Sequence, residues 1–248
     1  MNRVPVILTA FGTRENTRRV RDFLEAHFRK NFPDCDFHWA FAARSVQKNK
    51  NPDTPPSPEE ILQRLADQGQ QKAVLQSLHV VCAAEFHKLI PLCRKAPLDT
   101  RLSLPLLASM EDCRAAALAM DGPAGLDHDT AAVLALHGSS HPGGALFHLM
   151  GKTFREVWGN QAFYGMIEGE PGAMGTAAAI KKAGFSKAVV FPFTLVTGRH
   201  FSEDLAGKTN SWRSTFREAG IPAEFHPEGI GMNPAIGDIF CAHLRNAL

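Results

Sequence analysis

Apolar runs of strand length alternate with amphipathic helical stripes along almost the whole chain, and that alternation leaves few folds open. "VPVILTA" at 4–10 reads as a buried strand, and Val20, Phe23, Leu24, His27 and Phe28 follow at the spacing of one helix face. Further strands are expected at 35–42, 72–81, 102–108, 131–136, 162–168, 187–196 and 222–229, the fourth weakened by Pro105. Helix starts are marked between them. Ser57, Pro58 and Glu60 form a capping-box pattern before Ile61, Leu62 and Leu65, and Gly69 is placed to end that helix. A helix is expected from about Glu85 to Arg94, and Ser109 with Asp112 opens the next. Leu146, Leu149, Met150, Val157 and Trp158 mark another; later ones end at Gly184 and Gly220, and Asn233-Pro234 opens the last. Strands separated by helices imply right-handed crossovers and parallel sheets. The expected fold is α/β, with two similar lobes, each a four-stranded parallel sheet flanked by helices. The Gly-, Pro- and Asp-rich stretch at 120–129 is the candidate linker, giving lobes 1–122 and 123–248.

An internal repeat supports the two lobes. Shifting the first copy by 126 positions lays "VILTAFGT" on "AVLALHGS", with Phe11 on His137, Phe37 on Phe163 and Ala42 on Glu168. A shift of 115 lays Gly69 on Gly184, "KAV" at 72–74 on "KAV" at 187–189, and Glu85 on His200.

Composition narrows the function classes. A net charge of +2 gives no footprint for nucleic acid or a membrane surface, and no apolar run reaches eighteen residues. The five cysteines are odd in number and form no C-x-x-C pair, so neither a disulfide framework nor a structural zinc site is expected. With no recognisable leader, the chain is expected to be cytoplasmic, or periplasmic if a leader has been removed.

Three residues stand at the carboxyl ends of second-lobe strands: His137, Glu168 and His200. Ligands bind at that edge of open parallel sheets. Their first-lobe counterparts are Phe11, Ala42 and Glu85, so the set is specific to one copy. Two imidazoles and a carboxylate suit a divalent first-row metal with open positions; three unrelated loop residues is the alternative.

Beyond this, "AFGTRENTR", "WAFAAR", "TPPSPEEILQRLADQG", "QSLHVV", "LHGSSHP", "MIEGEP", "FPFTLVTGRHFSEDLAG", "NSW" and "NPAIGDIF" occur in order across nearly the whole chain. With these stretches the sequence resembles the anaerobic-type sirohydrochlorin cobaltochelatases, class II chelatases that insert a divalent metal into a tetrapyrrole without ATP. The resemblance implies a lyase of anaerobic cobalamin biosynthesis with sirohydrochlorin as partner and an active-site cleft between the lobes. Cobalt(II) is the implied metal substrate, with iron(II) for sirohaem synthesis or nickel(II) as alternatives, and no nucleotide. A non-catalytic metal- or tetrapyrrole-binding protein is the rival from another class, and a homo-oligomer is left open. The family's metal-binding and catalytic positions fall on His137, Glu168 and His200. The chain departs from the family pattern at Arg199 and at Cys82-Ala83-Ala84.

Because the implied substrate is rimmed with carboxylates, Arg14, Arg44 and Arg199 are the candidates to hold it. Ser139 and Ser140 are read as caps of the following helix, and His141 as a supporting residue. His79 reads as a satisfied interior histidine within a strand and His27 as packing. His87 reads as a surface residue, with an axial haem ligand as the alternative.

Overall fold

The structure, a computed structural model, describes residues 3–10, 17–42, 56–120, 125–198 and 201–248. These form two compact units, residues 1–108 together with 234–248, and residues 109–233. Relative to the expected division at 122/123, the helix at 110–119 goes with the second unit and the last helix with the first. Phe11, and residues 121–124 of the expected linker, lie outside the described residues.

The first unit runs β1 (Val4–Ala10), α1 (Thr17–Asn31), β2 (Cys35–Phe41), α2 (Pro58–Asp67), β3 (Lys72–Ser77), α3 (Ala84–His87), α4 (Leu89–Lys95) and β4 (Asp99–Ser103). All pairings are parallel, in the order β2-β1-β3-β4. β1 is central, and Val6, Ile7 and Leu8 are wholly buried, as a strand covered on both faces requires. Ile7 and Leu75 point to the face where Ile61, Leu62 and Leu65 of α2 pack. The capping box forms as read: Ser57 Oγ accepts the Glu60 N–H, and Glu60 Oε2 accepts the Ser57 N–H at 2.8 Å. The helix expected at 85–94 is broken at Lys88, because Pro91 has no N–H for the His87 carbonyl. β4 lies earlier than expected and stops before Pro105.

The second unit runs α5 (Met110–Ala119), β5 (Thr130–Leu136), α6 (Ala145–Trp158), β6 (Ala162–Met166), α7 (Ala173–Lys182), β7 (Lys187–Pro192), α8 (Trp212–Glu218) and β8 (Ala223–Phe225). Its sheet is also parallel, in the same relative order, β6-β5-β7-β8. Val133 and Val190 pack with Ile180 of α7 and Trp212 and Phe216 of α8. On α5 and α6, Trp158 Nε1 donates to the Ala117 carbonyl at 3.2 Å, which ties α5 into this unit. The chain then returns to the first unit through α9 (Pro234–Ala247), which packs on β3, β4 and α1.

Strand pairing refines the repeat. Val6 pairs with Phe37 and Val74, while Ala132 pairs with Ala162 and Val189. Placing Val6 on Ala132, a shift of 126, carries Val74 onto Val189, the expected shift of 115. Phe37 falls on Ala162 and not on Phe163, so β2 and β6 differ by 125. The counterpart of Ala42 is therefore Ile167, one residue short of Glu168. The connections between β1 and β2 and between β5 and β6 differ in length by one residue, which a repeat read on one fixed register hides.

His79 corrects its reading. β3 ends at Ser77, so His79 lies just past the strand; its Nδ1 meets Ser77 Oγ at 3.0 Å, while Nε2 is buried without a partner. Burial lowers its pKa from 6.5 to about 4, opposed by the Glu85 carboxylate and reinforced by the Lys88 ammonium. Between those pH values the unfolded chain carries a proton on His79 that the folded chain refuses. Stability is therefore full above pH 6.5 and falls on acidification, by about 3 kcal/mol once the pH is below about 4. His79→Gln should show a shallower decline of the urea midpoint between those limits than the wild type; equal slopes would remove His79 from the acid response.

Candidate active site

The site begins where β5 ends. Two further hydrogen bonds extend the β5–β6 pairing past the strands: Ile167 donates to the Leu136 carbonyl at 2.8 Å, and Glu168 to the His137 carbonyl at 2.7 Å. Backbone pairing thus joins His137 to Glu168 at the carboxyl edge of the sheet, with Gly138, not His137, directly opposite Glu168. The next residue makes the approach possible. Gly138 has φ +83°, and a Cβ built on it would lie 1.9 Å from the Glu168 carbonyl oxygen and 3.3 Å from Met166 Cβ. Only glycine suits a left-handed conformation with another backbone this close.

His137 is half-buried, and its Nδ1 lies 3.0 Å from the Gly138 carbonyl. A carbonyl only accepts, so Nδ1 carries the hydrogen and Nε2 is the ring's lone-pair nitrogen, the atom suited to a metal or a proton. Glu168 is exposed, and it borders a hollow of about 320 Å³ with Met166, Asp204, Asn210 and Trp212. The loop bearing it folds back on its own strand: Met166 donates to the Pro171 carbonyl at 2.7 Å, and the Gly172 N–H to Glu170 Oε2 at 3.0 Å.

The third strand end is held by the segment at 227–231. Ile230 and Gly231 donate to the Thr194 and Leu195 carbonyls, and Thr197 Oγ1 donates to the Pro227 carbonyl at 2.9 Å. Gly229 passes so close that a Cβ would meet the Thr194 carbonyl oxygen at 2.3 Å. Arg199 and His200 come after this strand end in the sequence but lie outside the described residues, as do Arg14 and Arg44. Among the described residues no three His, Cys, Asp or Glu side chains form a group that could hold a metal. Of the expected triad, His137 and Glu168 are joined by a backbone hydrogen bond, and of these two Glu168 borders the hollow.

Thiols are poor competitors for the ion. Burial pushes Cys93 and Cys113 up to about 11 and Cys241 to about 12, so all three stay protonated. His27 packs as expected, stacked on Phe23, and adds a bond from Nε2 to Asp238 at 2.8 Å. His87 is exposed and bonds back to the Ala83 carbonyl through Nδ1. The serine caps did not form as read: Ser139 Oγ accepts the His141 N–H, and the cap of the helical run from 142 is His141 itself. Sequence reasoning also missed Asp204, which borders the same hollow as Glu168. Asp204 sits in a π-helical turn, Phe201–Leu205, whose spacing matches neither a strand nor an α-helix.

Two like four-stranded parallel sheets flanked by helices in one chain are the architecture of solved chelatases. The SirB protein of Bacillus subtilis with Fe3+ has this fold: its structure superposes with a TM-score of 0.71 at 16% identity, covering 99% of this chain and 95% of that one. The family model described as "Cobalt chelatase (CbiK)" matches residues 5–248, and the chain belongs to that family. The sirohydrochlorin cobaltochelatase of Salmonella typhimurium is 32% identical over 98% of this chain and 96% of the relative. The sirohydrochlorin cobaltochelatase CbiKC of Nitratidesulfovibrio vulgaris is 27% identical over 100% of this chain and 92% of the relative. Among the described residues, no helix is long and apolar enough to cross a membrane.

Proposed function

We propose that this protein inserts cobalt(II) into sirohydrochlorin, without a nucleotide, as a step of anaerobic cobalamin biosynthesis in the cytoplasm. The observation that carries the reading is the end-to-end family match, with His137 and Glu168 held backbone to backbone at the sheet edge. Insertion exchanges both inner pyrrole protons for one metal ion, so the protein has to hold the ion loosely and accept protons as the ring nitrogens take over. Neutral imidazole does both near neutral pH. His137, with its lone pair on Nε2, binds the ion and receives a proton; Glu168 and His200 complete the donor set, and Arg14, Arg44 and Arg199 receive the substrate's carboxylates. Nitrogen and oxygen donors release a first-row metal more readily than thiolates would, which a metal-delivering enzyme needs.

Iron(II) insertion toward sirohaem is the second reading, because two imidazoles and a carboxylate do not separate iron from cobalt. The test is an absorbance assay of sirohydrochlorin with cobalt(II), iron(II) and nickel(II), with and without ATP. Many turnovers per protein, fastest with cobalt and indifferent to ATP, are expected. Faster turnover with iron selects the second reading, and one equivalent of complex without turnover makes the protein a binder.

A further inference from the structure

We infer that His141 is a positioning residue, whose ring holds in place the loop that presents His137. The inference rests on the reading of His137 as a metal ligand. Three groups of His141 fasten three neighbours. Its Nδ1 accepts the Gly143 N–H at 3.0 Å, its carbonyl accepts the Gly144 N–H at 2.7 Å, and its own N–H donates to Ser139 Oγ at 3.2 Å. Gly144 closes the turn so tightly that a Cβ there would lie 2.6 Å from the Ser139 carbonyl oxygen.

What this turn is fastened to decides its role. From Pro142 the chain runs as a 3₁₀ turn directly into α6, and Gly144 offers α6 no side-chain cap. The His141 ring is thus the side-chain cap of the whole helical run from 142 to 158, at a position where Ser, Thr, Asp or Asn is usual. Phe147, Met150 and Phe154 anchor that helix in the core. At its other end the loop is pinned by Gly138 against Glu168. His137 therefore stands on a short span held at both ends, by backbone contact on one side and by one imidazole nitrogen on the other. The two rings are complementary. An amide N–H only donates, so Nδ1 of His141 is unprotonated, whereas Nδ1 of His137 carries its hydrogen. A histidine at 141 would thus serve the site without touching the ion.

The experiment compares His141→Ala, His141→Asn and His141→Gln in the full chain. Asparagine places an acceptor oxygen where Nδ1 lies, glutamine where Nε2 lies. Cobalt(II) affinity is read from the metal's visible absorption, insertion from its KM for cobalt and its kcat, and folding from thermal unfolding. A residue that orients a ligand through a hydrogen bond costs about 10–100-fold in metal affinity when removed. Alanine and glutamine should each lose at least about tenfold in affinity, mostly as raised KM, and asparagine should restore it. Restoration by glutamine and not asparagine would overturn the inference in favour of direct contact through Nε2. So would equal affinity in all three variants, whether at the wild-type level or below it. A wild type that binds cobalt but inserts none sinks the proposed function alone, since the order of affinities still decides the role of His141.

Discussion

Replacing Gly138 by alanine is expected to nearly abolish metal insertion and to lower the melting temperature. The added methyl would sit 1.9 Å from the Glu168 carbonyl oxygen, which no side-chain rearrangement relieves, because the obstacle is backbone. A left-handed conformation costs a non-glycine residue a further 1–2 kcal/mol or so. The cheapest escape is to part the loops after β5 and β6, which breaks the bond from the Glu168 N–H to the His137 carbonyl and separates the two candidate ligands. A total of about 3 kcal/mol corresponds to a fall in Tm of roughly 6–12 °C for a chain of this length. Insertion should fall by about 100-fold or more, since displacements near 1 Å already cost that much. Thermal unfolding and cobalt insertion on the same sample check both. A variant with wild-type turnover would show that the close approach of the two loops is dispensable.

His137→Ala should give the opposite combination, a folded protein that does not turn over. The side chain is half-buried at a strand end and its bond through Nδ1 goes to the neighbouring carbonyl, so the cost should stay near the typical value of about 1 kcal/mol, which leaves the protein folded. In the role proposed for His137, the variant lacks both a metal donor and a proton acceptor, and the latter alone is typically worth about 10²–10⁴ in rate. Binding of sirohydrochlorin, which depends on the ring faces and carboxylates, should change by less than about threefold. Insertion at the wild-type rate under subsaturating cobalt would remove His137 from the reaction.

The order of strands and helices was legible because period and punctuation agree. "VPVILTA" cannot sit as an amphipathic helix, and Ser57, Pro58 and Glu60 have few uses other than opening one. Both parallel sheets follow from that alternation, whereas their common strand order appears only in the pairing. Strand ends were less legible. The apolar runs at 72–81 and 187–196 continue past Ser77 and Pro192, and only the neighbouring strands decide where pairing stops. The same limit misplaced His79, whose apolar neighbours look like strand whether or not it is paired. At the site, candidate residues could be named from the sequence, but not the backbone geometry around them. A His-Gly pair shows that a turn follows the strand; that the glycine lies against the Glu168 carbonyl depends on register across the sheet. His141 looked supporting from its place in a loop, and the nitrogen that does the supporting appears only in three dimensions.

The return of α9 to the first unit fixes an order of assembly during synthesis. Residues 109–233 are contiguous and can close as soon as they clear the ribosome, whereas the unit begun first must wait for residues 234–248. Until then β3 and β4 lack the helix whose Ile236, Phe240 and Leu244 are buried there, and His27 lacks both Asp238 and the flat bed of Gly237, where a Cβ would lie 2.8 Å from its ring. The half of the chain translated earlier is thus the half finished later, and the nascent protein carries an apolar opening that its own last helix is made to plug.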